Sequence, residues 1–221
     1  MRRTPSAGAF AAQRADMVEW QLRRRGIHDQ RVLDAMAAVP RELFVPEGLR
    51  SHAYDDGALP IGHGQTISQP FVVATICALL GLDGHERVLD VGTGSGYQAA
   101  VLAELAAEVV TIERVPELAE EARERLLAAG YPSVEVRVGD GSLGVPERAP
   151  FDAIAVAAAA PSVPRALYEQ LSDGGRLVLP RGSRRGQDLV LILRTPDGPA
   201  ERASISCRFV PLVGDEGFGD D

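Results

Sequence analysis

The chain has 221 residues, a formal net charge of −8 and a pI near 5.1. This length can bury one substantial core, so we expect a single domain. The acidic balance argues against nucleic-acid binding, which usually requires a basic patch, and Arg23–Arg25 is better explained as the solvated end of a helix. No apolar run approaches the roughly 18 residues of a membrane span, so we expect no membrane contact.

The two cysteines, Cys77 and Cys207, lie far apart in the sequence and show no metal-ligand spacing. Cys77 sits in an apolar run, which is typical of a thiol in a hydrophobic core. Arg2 and Arg3 are not followed by the continuous apolar stretch of a secretory signal. We therefore expect a cytoplasmic protein without a bound metal. We also expect it to be a monomer.

The predicted organisation is one domain between short terminal segments. Residues 1–8 are expected to be disordered, residues 9–213 to form the domain, and residues 214–221 to form a flexible acidic tail. Within the domain we expect a helical front segment at 9–58, a lid loop at 59–70 and an α/β core at 71–213.

The front segment carries two helix signals and no strand signal. Its apolar spacing predicts a helix from Ala9 to about Gly26, where the glycine ends it. Asp29 is a suitable cap for a second helix that runs through Val39 and stops before Pro40.

The stretch Leu59–Pro70 reads LPIGHGQTISQP and is unusual for a solvated loop. Its glycines and prolines prevent a continuous helix, yet it contains no Asp, Glu, Lys or Arg. Gln65, Thr66, Ser68 and Gln69 supply uncharged hydrogen-bonding groups at close spacing. We interpret it as neither helix nor strand but as a conformationally specified lid over a bound cofactor.

From Arg87 onward, strand and helix patterns alternate. Strand signals occur at Arg87–Val91, Glu108–Ile112, Val134–Val138, Phe151–Val156 and Arg176–Leu179, and helix signals at Gly96–Leu105, Pro116–Ala129 and Pro164–Leu171. This alternation predicts βαβ crossovers and a mostly parallel sheet. Two further strand signals, Asp188–Arg194 and Ile205–Val210, have no helix between them and predict an antiparallel hairpin at the sheet edge.

The first of these strands runs into a glycine-rich turn, Gly92-x-Gly94-x-Gly96. Ligands of open α/β sheets bind beyond the carboxyl ends of the strands, where this turn falls. A dinucleotide fingerprint would need glycine or alanine at position 97, and Tyr97 stands there instead, which disfavours an NAD-dependent dehydrogenase. The pattern favours a cofactor without a pyrophosphate, and S-adenosylmethionine fits. A tight strand–helix junction without a ligand is the plain alternative.

Two acidic positions follow later strands. Glu113 ends the second strand signal, where its two carboxylate oxygens could accept both ribose hydroxyls, although it could also be an exposed acid. Asp140 and Gly141 follow the third, where the acid could accept from an adenine amino group and the glycine could allow close approach. A simple Asp-Gly turn would give the same residues.

Taken together, these segments resemble the protein-L-isoaspartate (D-aspartate) O-methyltransferase family. The resemblance is carried in order by Arg41–Pro46, Leu59–Pro70, Leu89–Ala100, Ile112–Arg114, Gly139–Gly141, Ala149–Ile154, Gly174–Val178 and Phe209–Leu212. It covers roughly residues 10 to 213, and the block Gln65–Pro70 is its most specific part.

The resemblance implies a Rossmann-like, S-adenosylmethionine-dependent methyltransferase fold with a mostly parallel sheet, an antiparallel edge and an N-terminal helical segment. It implies methylation of the free α-carboxylate of isoaspartyl residues in damaged proteins and peptides, which starts repair through a methyl ester and a succinimide. Ser68 matches the family's active-site residue. The residues assigned to the cofactor are Thr66, Ile67, Asp90, Gly92, Gly94, Glu113, Asp140 and Gly141.

An α-carboxylate is already ionised at neutral pH, so this reaction requires no general base. Catalysis would come from alignment and from exclusion of water, with Ser68 holding the carboxylate by a hydrogen bond. Two other functions remain open at this level. One is a methyltransferase for a small molecule or RNA, and the other is a non-catalytic protein that binds the cofactor or aged proteins.

Overall fold

The computed structural model describes residues 7–219. The α-helices are α1 (Ala7–Asp16), α2 (Gln30–Ala38), α3 (Pro70–Leu80), α4 (Tyr97–Ala103), α5 (Pro116–Ala128) and α6 (Arg165–Glu169). The strands are β1 (Leu59–Gly62), β2 (Gln65–Ile67), β3 (Arg87–Val91), β4 (Glu108–Glu113), β5 (Glu135–Val138), β6 (Phe151–Val156), β7 (Leu171–Ser183), β8 (Gly186–Thr195) and β9 (Gly198–Cys207).

The main sheet has seven strands in the order β5-β4-β3-β6-β7-β8-β9. The pairs from β5 through β7 are parallel, while β7–β8 and β8–β9 are antiparallel. The predicted Rossmann-like class, with its antiparallel edge, is confirmed. Because β3 lies between β4 and β6, the turns that follow these three strands meet at one edge of the sheet.

The sheet is covered on both faces, as parallel sheets require. Successive residues of β3 point to opposite sides: Val88 belongs to the core on one face and Leu89 to the core on the other. Both side chains are fully buried. Strand β3 therefore buries consecutive side chains rather than alternate ones, and its glycine turn starts from a rigid base.

The front helices follow their sequence signals closely. The Asp29 carboxylate accepts from the backbone N–H groups of Arg31 and Val32 at 3.0 and 3.4 Å and caps α2. The first helical run passes from α1 through a π-helical segment, Met17–Leu22, to a 3₁₀ turn and ends at Gly26 with φ 99°. Of the N-terminal segment predicted to be disordered, Ala7 and Gly8 belong to α1, and residues 1–6 lie outside the described residues.

Two elements between residues 59 and 80 differ from the sequence prediction. The lid contains a short antiparallel hairpin, β1–β2, so its description as neither helix nor strand was wrong. The residues between the strands allow this, since Gly62, His63 and Gly64 all have positive φ, at 96°, 52° and 70°. Helix α3 carried no helix signal because it is apolar nearly all round and therefore has no polar face to set a period.

The edge strand β9 begins and ends earlier than predicted. Thr195 pairs with Gly198 across the β8–β9 turn, and Gly198 has φ 106°, so the register starts there and the strand ends at Cys207. A turn signal at Gly198 thus decides the hairpin, whereas the apolar residues that suggested Ile205–Val210 continue past the sheet into the loop beyond it.

The acidic tail also differs from the flexible segment that the sequence predicted. Asp215 N donates to Asp140 Oδ2 at 2.8 Å, and Glu216 N donates to Ser142 Oγ at 3.0 Å. The Glu216 carboxylate accepts from Ala166 N, at the start of α6, at 2.9 Å. These bonds hold the tail against the loop after β5, and Asp220 and Asp221 lie outside the described residues.

Candidate active site

The glycine turn after β3 forms the floor of a cavity. Gly92, Gly94 and Gly96 all have positive φ, at 92°, 51° and 90°, which other residues rarely adopt. A side chain at Gly94 would place its Cβ 3.4 Å from Ile61 Cδ1. Ile61 is a buried residue of the lid hairpin, so the lid packs directly on the turn.

We call the space under the lid the turn cavity. It measures about 880 Å³, including space open to solvent, and its lining includes Thr66, Ile67 and Ser68 from the lid together with Gly92 and Gly94. Seven of the nine residues predicted from the sequence line this cavity, namely these five together with Glu113 and Gly141. The predicted arrangement of a lid over a glycine turn is present.

Glu113 also lines the turn cavity, although it is nearly buried, with 6% of its surface exposed. Gly94 N donates to its Oε2 at 2.9 Å, and Val115 N donates to its Oε1 at 3.1 Å. A carboxylate has about four lone-pair positions, so each oxygen retains capacity for another donor. Glu113 thus both fixes the glycine turn and presents acceptors to the cavity.

The Asp140–Gly141 pair is more engaged than the sequence suggested. Gly141 lines the turn cavity, and a Cβ there would lie 2.7 Å from Val91 Cγ1. Asp140 is not among the described lining residues. Its Oδ1 accepts from Ser142 N and Oγ, and its Oδ2 accepts from Asp215 N. Burial raises the pKa of Asp140, but these hydrogen bonds outweigh that effect and leave the pKa below its usual range.

Asp90 lies beneath the turn rather than in the cavity. It is fully buried, and its carboxylate accepts from Gln98 Nε2 at 2.7 Å and from Thr111 Oγ1 at 2.9 Å. The Thr111 hydroxyl in turn lies 2.7 Å from that of Thr93, which does line the cavity. Burial raises the pKa of Asp90 to about 7, against the opposing effect of the two hydrogen bonds, and the charge of Glu113 raises it further.

A second cavity, the lid groove, opens between the lid, the start of α3 and residues 205–210. Thr66 and Ser68 line both the lid groove and the turn cavity. The charged residues of the groove are Arg25 and Arg208, and no carboxylate occurs among its described lining residues. Arg25 pairs with Asp56 outside the groove at 2.9 Å. Ser68 therefore stands in the wall between a space lined by Glu113 and Arg114 and a space lined by Arg25 and Arg208.

Within residues 7–219, no cluster of His, Cys, Asp and Glu side chains is suited to a metal ion. No helix of that part of the chain combines the length and the apolar character needed to cross a bilayer. Both cysteines are free thiols, and Cys77 is fully buried as its apolar context predicted.

The residues of the turn cavity fit S-adenosylmethionine. The glycines leave backbone accessible to a ligand, and Glu113 retains lone pairs for a hydroxylated sugar. Buried Val91, Ile112 and Leu212 supply apolar walls suited to a purine ring. Fold and site together define an α/β methyltransferase.

Comparisons with known proteins narrow this class. The family model of protein-L-isoaspartate(D-aspartate) O-methyltransferase matches residues 12–217, so the chain belongs to that family. Protein-L-isoaspartate O-methyltransferase 2 of Marinobacter nauticus is 58% identical over 207 residues, which span 93% of this chain and 94% of the relative. The corresponding Methanoculleus marisnigri protein is 54% identical over 93% of this chain and 94% of its own length.

Solved structures agree. A protein-L-isoaspartate O-methyltransferase superposes with a TM-score of 0.82 at 31% identity, over 92% of this chain and 67% of the other. A second one, from Plasmodium falciparum and solved with S-adenosyl-L-homocysteine, superposes with a TM-score of 0.79 at 27% identity. The match covers 90% of this chain and 98% of the other. The predicted enzyme class and its S-adenosylmethionine dependence are confirmed, and the rival small-molecule or RNA substrate is not favoured.

Sequence reasoning missed one residue at the base of the site. Arg41 entered only as part of the family resemblance, yet it is fully buried and donates from Nη2 to the Ser68 carbonyl at 2.7 Å. The available signal was the position of Arg41 between two apolar runs, Met36–Val39 and Leu43–Val45, although the neighbouring Glu42 makes that signal weak.

Proposed function

We propose that methyl transfer to the isoaspartyl α-carboxylate takes place at the wall shared by the turn cavity and the lid groove, with Ser68 positioning the carboxylate. The observation that carries this proposal is that Ser68 lines both spaces. Among residues 7–219, no group forms a hydrogen bond with the Ser68 hydroxyl, which leaves it able to donate to a substrate oxygen.

The charges of the two spaces support this assignment. S-adenosylmethionine, when bound, supplies an electrophilic methyl group on a positively charged sulfur. Glu113 and Arg114 line the turn cavity, whereas Arg25, which is paired with Asp56, and Arg208 line the lid groove. The lining of the groove contains cations and no described carboxylate, which favours an anionic acceptor there.

The residues of the chain act by alignment rather than by proton transfer. The acceptor α-carboxyl has a pKa of roughly 3.3–3.7 and is ionised at neutral pH. A hydrogen bond from Ser68 to this anion is worth about 1.5–3 kcal/mol, and orientation of two reactants can contribute about 7–11 kcal/mol. The lid hairpin covers the site and limits access of water.

We propose that most of the predicted residues contact the cofactor directly and that Asp90 acts indirectly. Thr66, Ile67, Gly92, Gly94 and Gly141 contact it from the cavity wall. Glu113 accepts from its ribose. Asp140 retains one lone-pair position beyond its three present donors, which is enough for an adenine amino group. Asp90 acts from below, through Thr111 and Thr93.

The test uses labelled S-adenosylmethionine and two peptides that differ only in an Asp or an isoaspartyl residue. We expect base-labile label on the isoaspartyl peptide alone. Ser68→Ala should lower kcat/KM on it by roughly 10- to 100-fold, the value of one charge-assisted hydrogen bond.

The matched control is Ser172→Ala, which removes a hydroxyl bonded to Asp152 at 3.0 Å, away from both cavities. Its turnover should equal that of the parent. If Ser68→Ala has the turnover of this control, Ser68 does not position the acceptor. Equal labelling of both peptides would contradict the choice of acceptor.

We further propose that the enzyme acts as a monomer in the cytoplasm on proteins and peptides, without nucleic acid. Two free cysteines suit a reducing compartment. The net charge of −8 disfavours a nucleic-acid partner. Sedimentation at micromolar concentration would test whether the enzyme is a monomer. Fractionation of the source cells would test its location.

A further inference from the structure

Arg41 lies at the base of the lid and connects three parts of the chain. Its Nε donates to the Ala53 carbonyl at 2.7 Å, and its Nη2 donates to the Ser68 carbonyl at 2.7 Å. Its guanidinium carbon lies 4.7 Å from the centre of the Tyr97 ring. Tyr97 is the first residue of α4, so the Arg41 side chain lies between the start of that helix and the Ser68 backbone.

This guanidinium is a buried charge, and the part of the chain that the structure describes offers it no counter-charge. Arg41 is fully buried, and no carboxylate within residues 7–219 forms an ion pair with it. The neighbouring Glu42 accepts from the Tyr54 hydroxyl instead. Arg41 Nη1 has no hydrogen-bond partner among the described residues. Burial lowers the pKa of Arg41, yet a guanidinium stays protonated in proteins.

A buried, uncompensated cation is costly, so a purely structural role explains it poorly. A methionine of similar volume would fill the same space without the cost of desolvating a charge. What methionine could not do is hold the backbone carbonyl of Ser68 or present a positive potential to an anion beside it.

The backbone at Ser68 needs such support. Ser68 lies between the end of β2 and the start of α3, and Gln69, at the N-cap of α3, makes no side-chain capping bond. Rotation of the Ser68 peptide would turn the hydroxyl away from the shared wall. The bond from Arg41 Nη2 opposes that rotation because it fixes the carbonyl oxygen.

We propose that Arg41 is a positioning residue for methyl transfer: it orients Ser68 through the backbone, and its positive charge favours the anionic acceptor at that hydroxyl. This inference rests on the proposed role of Ser68. It predicts that Arg41 and Ser68 act as one unit on the peptide substrate, while affinity for S-adenosyl-L-homocysteine depends little on Arg41.

The experiment compares Arg41→Lys and Arg41→Met, each alone and combined with Ser68→Ala. Lysine keeps the charge but cannot bridge the Ala53 and Ser68 carbonyls with a planar fork, and methionine removes both features. The control is Tyr54→Phe, which removes the nearby bond to Glu42 but no contact with Ser68. Kinetic constants, thermal midpoints and calorimetric affinity for S-adenosyl-L-homocysteine are measured for all variants.

We expect Arg41→Met to lower kcat/KM on an isoaspartyl peptide by roughly 10- to 100-fold, with a smaller loss for Arg41→Lys. In the Ser68→Ala background, either change should have little further effect, because coupled residues are not additive. The affinity for S-adenosyl-L-homocysteine should stay that of the Tyr54→Phe control.

A second readout does not depend on turnover. With S-adenosyl-L-homocysteine bound, the parent should bind an isoaspartyl peptide more tightly than its uncharged α-carboxamide analogue, and Arg41→Met should lose that preference. If Arg41→Met does not fold, Arg41→Lys is tested for a partial loss of the same preference.

The proposal is overturned if the loss of kcat/KM in the double variant equals the product of the losses in the Arg41 and Ser68 single variants. It is also overturned if peptide binding, S-adenosyl-L-homocysteine affinity and thermal midpoint all fall together, since that result is expected of a residue that only stabilises the fold. If Ser68→Ala itself leaves turnover unchanged, the proposed role of Ser68 fails, which is a distinct result from independence of the two residues.

Discussion

Replacement of Asp90 by asparagine should change how stability depends on pH. The Asp90 carboxyl is fully buried, and burial raises its pKa from an ordinary 3.8 to about 7, while Gln98 and Thr111 act in the opposite direction. A pKa change of this size corresponds to about 4 kcal/mol of disfavour for the ionised form in the fold. Asparagine keeps the shape but cannot ionise.

The sign of the effect follows from proton binding. Below about pH 4 both the folded and the unfolded chain hold the Asp90 proton. Between about pH 4 and pH 7 the unfolded chain releases it and the folded chain keeps it. The free energy of unfolding therefore falls as the pH rises, by about 1.4 kcal/mol per pH unit, and levels off above the folded-state pKa.

The measurement is urea unfolding of the parent and Asp90→Asn at pH 5 and pH 8. All other titrating groups are common to both chains, so the difference in unfolding free energy isolates Asp90. We expect that difference to shift in favour of the variant by about 3 kcal/mol from pH 5 to pH 8. The amide also changes bonding to Gln98 and Thr111, but that change is independent of pH.

Asp140→Asn is the matched control. The pKa of Asp140 is lowered, so its contribution to stability is present above about pH 4 and is lost only as the pH falls further. The difference in unfolding free energy between Asp140→Asn and the parent should be constant from pH 5 to pH 8, with the parent the more stable of the two. A flat profile for Asp90→Asn as well would refute the reasoning, because Gln98 and Thr111 would then have kept Asp90 ionised.

Three further changes test the site and its supports. Glu113→Gln should weaken binding of S-adenosyl-L-homocysteine by roughly 10- to 100-fold in calorimetry, since a neutral amide replaces the charged acceptor of the ribose hydroxyls; unchanged affinity would contradict the ribose assignment. Gly141→Ala should lower stability by about 1–3 kcal/mol in urea, because its Cβ would lie 2.7 Å from Val91 Cγ1. Gln170→Ala should lower the free energy of unfolding by about 1–3 kcal/mol, because Val145 N and the Leu143 carbonyl each lose a hydrogen bond of 2.8 Å to the Gln170 side chain. An unchanged urea midpoint would show that water replaces these bonds.

The bounds of β3 and β6 could be predicted residue for residue, and α5 to within one residue. These elements carry their own signals, since apolar strands and an amphipathic helix differ in period and are bounded by glycine or proline. Helix α3 and the β1–β2 hairpin could not be predicted in this way. Helix α3 lacks a polar face. The hairpin depends on a positive φ at His63, which the residue type alone does not indicate.

The candidate site divides in the same manner. Glycine spacing after a strand indicated the cofactor class, and the uncharged polar block indicated the lid, because both are short-range patterns. The burial of Arg41, its bonds to carbonyls 12 and 27 residues away, and the contact of Asp140 with a tail 75 residues distant have no local pattern. Sequence alone therefore determined the order of elements from β3 onward and the turn that holds a nucleotide-type ligand. Only the tertiary structure decided which polar groups meet beneath the lid, because the free energy of a buried charge depends on partners that folding brings together from distant parts of the chain.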